Sequence, residues 1–234
     1  MKKKAVLIIF VALVLAFHLW LTLSADHKQD RIGIRAEPVP APTPLSTAEP
    51  VEPTVEPYVN PFVDVADDAY YAPAVQWAVE NGVTTGMDKE HFAPNAACTR
   101  AQMVTFLWRA AGSPVVEDVE NPFSDVKADH YFYDAVMWAV SEGITKGTSD
   151  TTFSPNATVT RAQVVTFLYR YAEEPVSDVE NPFSDVSANA YYYNAVLWAV
   201  ENEITTGKTA TSFAPNDDCT RAQIVTFMCR DLAK

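Results

Sequence analysis

Phe92-Ala93-Pro94-Asn95, then after three more residues Thr99-Arg100-Ala101-Gln102, is the stretch that decides how this chain folds. Pro94-Asn95 breaks the preceding segment. Thr99 with Gln102 three positions on forms a capping box, the signature of a helix start. Val104, Leu107 and Trp108 continue one apolar face, with Phe106 between them. The stretch returns as Phe153-Ser154-Pro155-Asn156 with Thr160-Arg161-Ala162-Gln163. It returns again as Phe213-Ala214-Pro215-Asn216 with Thr220-Arg221-Ala222-Gln223. Recurrence at a fixed spacing marks a repeat architecture.

Extending outward, the flanks repeat too. Asn60-Pro61-Phe62-Val63-Asp64-Val65 matches Asn121-Pro122-Phe123-Ser124-Asp125-Val126 and Asn181-Pro182-Phe183-Ser184-Asp185-Val186. Trp77, Trp138 and Trp198 keep one spacing, as do Gly86, Gly147 and Gly207. Three repeats align without gaps as 60–109, 121–170 and 181–230. Each predicts a first helix capped by Asp67 or Asp68, with Pro73 in its first turn. Val75, Ala78 and Val79 give that helix an apolar stripe. Gly82 and Gly143 close it in the left-handed region, and Glu203 at the third equivalent position predicts a helix end that is strained or differently closed. A short hairpin through Gly86 and Phe92 leads to the capped second helix. The fold class is mainly α: three helix–short hairpin–helix repeats packed as a pseudo-threefold domain, since no single unit can bury its own apolar faces.

The rest of the chain is of other character. Residues 1–25 carry Lys2, Lys3 and Lys4 before an apolar run over 5–23, an export signal. The run fits a cleaved signal and a retained membrane anchor equally. Either way the positive end stays inside and the remainder is exported. Residues 26–59 are proline-rich and read as a spacer.

These repeats resemble the S-layer homology (SLH) domain. The resemblance rests on the F-x-D-V opening, the tryptophan-bearing first helix, the G-[VI]-T-x-G turn, F-x-P-N and T-R-A-Q. It covers residues 60–234. It implies a three-pronged fold and non-covalent binding to cell-wall glycans, commonly secondary polysaccharides with pyruvate ketals, in some lineages modified peptidoglycan. The family often has T-R-A-E, so Gln102, Gln163 and Gln223 remove a carboxylate from beside each arginine.

The chemistry of the residues points the same way. Arg100, Arg161 and Arg221 stand at helix starts, where N–H groups and the guanidinium fork suit an anion. Lys146 and Lys208 flank turn glycines, with Met87 or Lys89 in the first repeat, so three unequal sites are expected. The competing reading has each arginine pairing with Asp64, Asp125 or Asp185. Trp77, Trp138 and Trp198 read as core or as sugar platforms, and the aspartates as ligand contacts or turn anchors. The clusters Tyr70-Tyr71, Tyr131-Phe132-Tyr133 and Tyr191-Tyr192-Tyr193 pack units together or present rings to sugars. Cys98, Cys219 and Cys229 occupy slots filled elsewhere by apolar residues, though Cys98 and Cys219 could also meet on the axis and bridge.

Other functions find no support. The formal net charge is −13, and residues 60–234 hold 24 acidic against 11 basic residues, which argues against nucleic-acid binding. Catalysis needs one unique constellation, and here the repeated carboxylates occur three times in equivalent contexts. No separate catalytic module is expected, and neither metal nor cofactor is called for, with only His91 and His130 in the repeats. The expectation is a cell-wall-binding module at the cell surface, partnered by polysaccharide or peptidoglycan. A structural subunit of a surface layer is the alternative.

Overall fold

The computed structural model describes residues 58–233. The predicted signal and nearly all of the predicted spacer lie outside them. Among the described residues six helices follow in pairs: α1 (Ala72–Glu80), α2 (Arg100–Ala110), α3 (Tyr133–Ser141), α4 (Arg161–Tyr171), α5 (Tyr193–Glu201) and α6 (Arg221–Leu232).

The second helices start as their sequence dictates. In all three, the cap threonine accepts the N3 amide while the glutamine accepts the threonine's own amide. The first helices do not. Their N-caps are Tyr71, Phe132 and Tyr192, without side-chain cap bonds. Asp67 instead accepts the Asn60 amide at 3.3 Å. Two successive tight turns, Ala69 N–H to Ala66 C=O and Ala72 N–H to Ala69 C=O, carry the chain past both aspartates before the helix begins. Each first helix ends on a left-handed residue: Gly82 at φ +67°, Gly143 at +71° and Glu203 at +58°. Left-handed backbone is costly for a residue with a side chain, so of the two expected closures at Glu203 the strained one is present.

The expected hairpin shrinks to single bridges, Ser149 to Thr152 and Thr209 to Ser212, and among the described residues no strand forms. The cause is competition for donors. Phe153 and Ser154 give their N–H groups to the two oxygens of Asp125, both at 2.8 Å. Asp64 and Asp185 hold Phe92-Ala93 and Phe213-Ala214 in the same way. A returning segment with its amides spent on a carboxylate cannot extend a ladder. The clamp also holds Ala93, Ser154 and Ala214 at φ +57° to +59°.

Repeats interlock rather than stack. Each second helix packs on the first helix of the following repeat: α2 on α3, α4 on α5, and α6 back on α1. Phe92, Phe153 and Phe213 are fully buried beneath them. On the axis, Cys98 N–H donates to Cys219 C=O, Val159 N–H to Cys98 C=O, and Cys219 N–H to Val159 C=O, at 3.2, 2.9 and 2.9 Å. This is a closed backbone triangle of equivalent residues. Cys98 and Cys219 therefore do meet at the axis, as buried free thiols. Burial pushes them up to about 11 and about 12, respectively, with neighbouring arginines opposing.

Candidate functional site: three cationic clefts between repeats

The arginine of each T-R-A-Q segment leaves its own repeat. Arg100 Nε donates to Phe153 C=O at 2.9 Å, Arg161 Nε to Phe213 C=O at 2.9 Å, and Arg221 Nε to Phe92 C=O at 2.8 Å. Each of these arginine residues is 3% exposed, and its guanidinium lies between two phenylalanines of the next repeat. For Arg100 these are Phe153 and Phe167, at 4.8 and 5.4 Å from guanidinium carbon to ring centroid. Phe213 with Phe227, and Phe92 with Phe106, do the same for Arg161 and Arg221. Burial lowers the pKa of all three, but a guanidinium starts so high that it stays charged. None forms an ion pair with Asp64, Asp125 or Asp185, whose oxygens hold the turns described above.

The helix N-termini are not the anion sites that the sequence suggests. Arg100 N–H donates to Ala157 C=O at 2.9 Å and Ala101 N–H to Pro155 C=O at 3.0 Å. Arg161 and Ala162 bond Asp217 and Pro215, and Arg221 and Ala222 bond Ala96 and Pro94. With N3 taken by the cap hydroxyl, the first-turn donors are spent on the neighbouring repeat. The side chain, not the helix end, is what remains for a ligand.

Around each buried arginine opens a cleft to which all three repeats contribute. Cleft 1 has a volume of about 190 Å³ and joins Thr84, Gly86, Met87, Gln102 and Arg109 to Tyr131 and Arg221. Cleft 2, about 370 Å³, joins Thr145, Lys146, Gly147, Gln163 and Arg170 to Tyr191 and Arg100. Cleft 3, about 240 Å³, joins Thr205, Gly207, Lys208, Gln223 and Arg230 to Tyr70 and Arg161. A hollow of about 440 Å³ elsewhere, between Tyr58-Val59-Asn60 and the start of α1, has no basic residue in its lining.

The walls follow from local structure. Gly147 sits at φ +82°, and a Cβ there would lie 2.5 Å from Phe123 Cε1 and from Thr152 O; Gly86 and Gly207 are equally confined. Each glutamine spends its oxygen on the cap amide, Gln102 at 2.9 Å, so its NH₂ remains for the cleft. Arg170 Nη1 donates to Ile144 C=O at 3.0 Å, Arg230 to Ile204 C=O at 3.2 Å and Arg109 to Val83 C=O at 3.4 Å. Tyr70, Tyr131 and Tyr191 stand at the mouths, 66–67% exposed. Desolvation raises the Tyr191 hydroxyl pKa, while Arg100 and Arg170 pull it down.

Among the sequence candidates, the structure thus gathers the arginines, glutamines, glycines and lysines. It leaves out the tryptophans: Trp138 and Trp198 are core at 3% exposure, Trp198 against Tyr169 at 5.7 Å, and Trp77 packs against that core. Arg109, Arg170 and Arg230 were passed over by sequence reasoning. Their signal was present, because each closes one of the three aligned repeats. Among the described residues no metal-ligating cluster occurs.

A pseudo-threefold ring of helix pairs enclosing three inter-repeat cationic clefts defines a repeat-built binding protein. Three segments, 61–104, 122–165 and 182–225, match the S-layer homology domain, and the chain belongs to that family. It is 32% identical over 167 residues to the Surface-layer 125 kDa protein of Lysinibacillus sphaericus, covering 70% of this chain and 14% of that one. It is 38% identical over 109 residues to an Endoglucanase of Bacillus sp. (strain KSM-635), covering 47% of this chain and 11% of the relative. A Cellulosome-anchoring protein of Acetivibrio thermocellus is 28% identical over 142 residues, covering 58% of this chain and 32% of the relative. The matches thus span a third or less of these relatives.

Proposed function

We propose that this chain is a non-catalytic module that attaches to the cell surface by holding cell-wall glycan in its three clefts, with an acidic substituent against the buried arginine. The observation that carries this reading is the arginine itself. It is desolvated, held by a carbonyl on one edge and two rings on its faces, and placed at the base of a cleft with a second arginine and an exposed tyrosine. A carboxylate there gains bidentate, charge-assisted contacts in a partly water-excluded site, and the tyrosine offers an apolar face to a sugar ring. Three such clefts persist in a chain of net charge −13. Family membership and relatives named for the surface layer and for anchoring support a cell-surface location.

The test mixes the protein with isolated cell-wall sacculi before and after the secondary polysaccharides are stripped by acid. Sedimentation with intact sacculi and its loss after stripping is the expected result. Equal sedimentation with both would transfer the partnership to peptidoglycan. No sedimentation with either would reject wall binding.

A further inference from the structure

Clefts 2 and 3 share a plan and differ at the residue following each F-x-P-N segment: Ala157 for cleft 2 and Asp217 for cleft 3. This position adjoins the site without lining it. Its backbone oxygen accepts the N–H of the cleft arginine, Ala157 from Arg100 and Asp217 from Arg161, both at 2.9 Å. The side chain at this position in cleft 3 is close enough to act on the Arg161 charge. In cleft 3 that side chain is a carboxylate, and it forms an ion pair with Lys208 on the cleft wall. In cleft 2 the position is a methyl group, and among the described residues Lys146 has no carboxylate within 4.0 Å. Of the cleft 2 cations, Arg170 has the Glu174 carboxylate at 3.8 Å, and Asp125 acts on Arg100 from farther off, as Asp185 acts on Arg161. Among the described residues Arg161 nevertheless keeps Nη2 buried with no hydrogen-bond partner, an unspent donor beneath cleft 3.

We propose that Asp217 is a specificity residue of cleft 3, an internal carboxylate that occupies Lys208 and opposes an acidic ligand, so that cleft 2 takes the acidic glycan first and cleft 3 retains affinity for uncharged sugar oxygens. This rests on the glycan reading above and adds which cleft takes which class of ligand. A like charge beside the incoming carboxylate is unfavourable at any effective dielectric, and near the surface it amounts to a several-fold change in affinity.

Each cleft contains one turn glycine, so the backbone amides of Gly86, Gly147 and Gly207 report the clefts separately. The full chain, in mild detergent to accommodate residues 5–23, is titrated with two probes followed by amide NMR. One probe is a hexosamine methyl glycoside bearing a pyruvate ketal; the other is the same glycoside without the ketal. With the ketal probe, Gly147 is expected to respond at a concentration about fivefold lower than Gly207. Asp217→Ala, which installs the residue of the other repeats, and the isosteric Asp217→Asn should both bring Gly207 to within about twofold of Gly147. Neither should alter Gly147, nor the response of Gly207 to the ketal-free probe. A Gly207 response that ignores both substitutions, or that changes equally for the two probes, overturns the role of Asp217 while glycan binding stands. Glycine amides that move with neither probe overturn the glycan reading itself, and this inference with it.

Discussion

Arg161 and Lys208 line the same cleft and are held in opposite ways. Arg161 is 3% exposed, bonded to Phe213 C=O and enclosed by Phe213 and Phe227. Lys208 has a side chain 53% exposed and only a carboxylate for company. The arginine is a joint, because it fastens one repeat to the next, and it does so with the group that on the proposed reading a ligand would touch. The lysine is fastened to nothing structural. The bases of the clefts therefore repeat three times, whereas the rims read Met87, Lys146 and Lys208. Fold constrains the base, and the rim is left free to set preference.

Substitutions can break this comparison, beginning at the base. Arg161→Ala removes a buried cation from two rings and leaves the Phe213 carbonyl unpaired, a loss of about 3 kcal/mol in urea unfolding. Stability equal to the unsubstituted chain would show that base and rim are not different in kind. Asp185→Ala releases two backbone amides and the Ser212 hydroxyl and should cost about 2 kcal/mol. That contribution also depends on pH. Desolvation works to raise the Asp185 carboxyl, but the amides of Phe213 and Ala214 with the Ser212 hydroxyl outweigh it, and the pKa falls below 3.8. The stabilisation is complete above the unfolded value and is lost as pH drops through the lowered folded one. Acid unfolding of Asp185→Ala should therefore be shallower than that of the unsubstituted chain.

Smaller effects sharpen the contrast. Glu203→Gly should stabilise by about 1 kcal/mol, read as a raised Tm, since it relieves φ +58°. The equivalent Gly82 and Gly143 meet no neighbour within 4 Å where a Cβ would stand, so the gain is conformational alone. Lys146→Ala should leave stability within about 0.5 kcal/mol while lowering retention on wall polysaccharide several-fold. Unchanged retention would show that the rim takes no part in binding.

Much of the fold is local and was legible. The capping boxes, the glycine-closed helices and the strain at Glu203 follow from residues within one turn of one another. The fold class followed from tripled motifs that one unit could not bury alone. What escaped is non-local. The helix starts look like anion sites when the only donors considered are their own, and it is Pro155 and Ala157 of the next repeat that consume those of Arg100 and Ala101. The hairpin failed for the same reason, because Asp125, 28 residues away, claims the Phe153 amide. Asp67 failed as a cap because turns inserted between it and the helix are invisible to periodicity. The cleft itself, made from three repeats, has no contiguous sequence signature. Only repetition points to Arg109, Arg170 and Arg230.

The return of α6 onto α1 has a consequence for chain topology. An open array of repeats requires special caps at both ends, but here the last unit caps the first, and no repeat is terminal in space. Chain order then becomes dispensable in principle. A circular permutant beginning at residue 121, with the old ends joined by a connector like those following residues 109 and 170, has the same three interfaces to form. Deleting any one repeat leaves two unmatched faces, so the ring is an all-or-nothing unit of three.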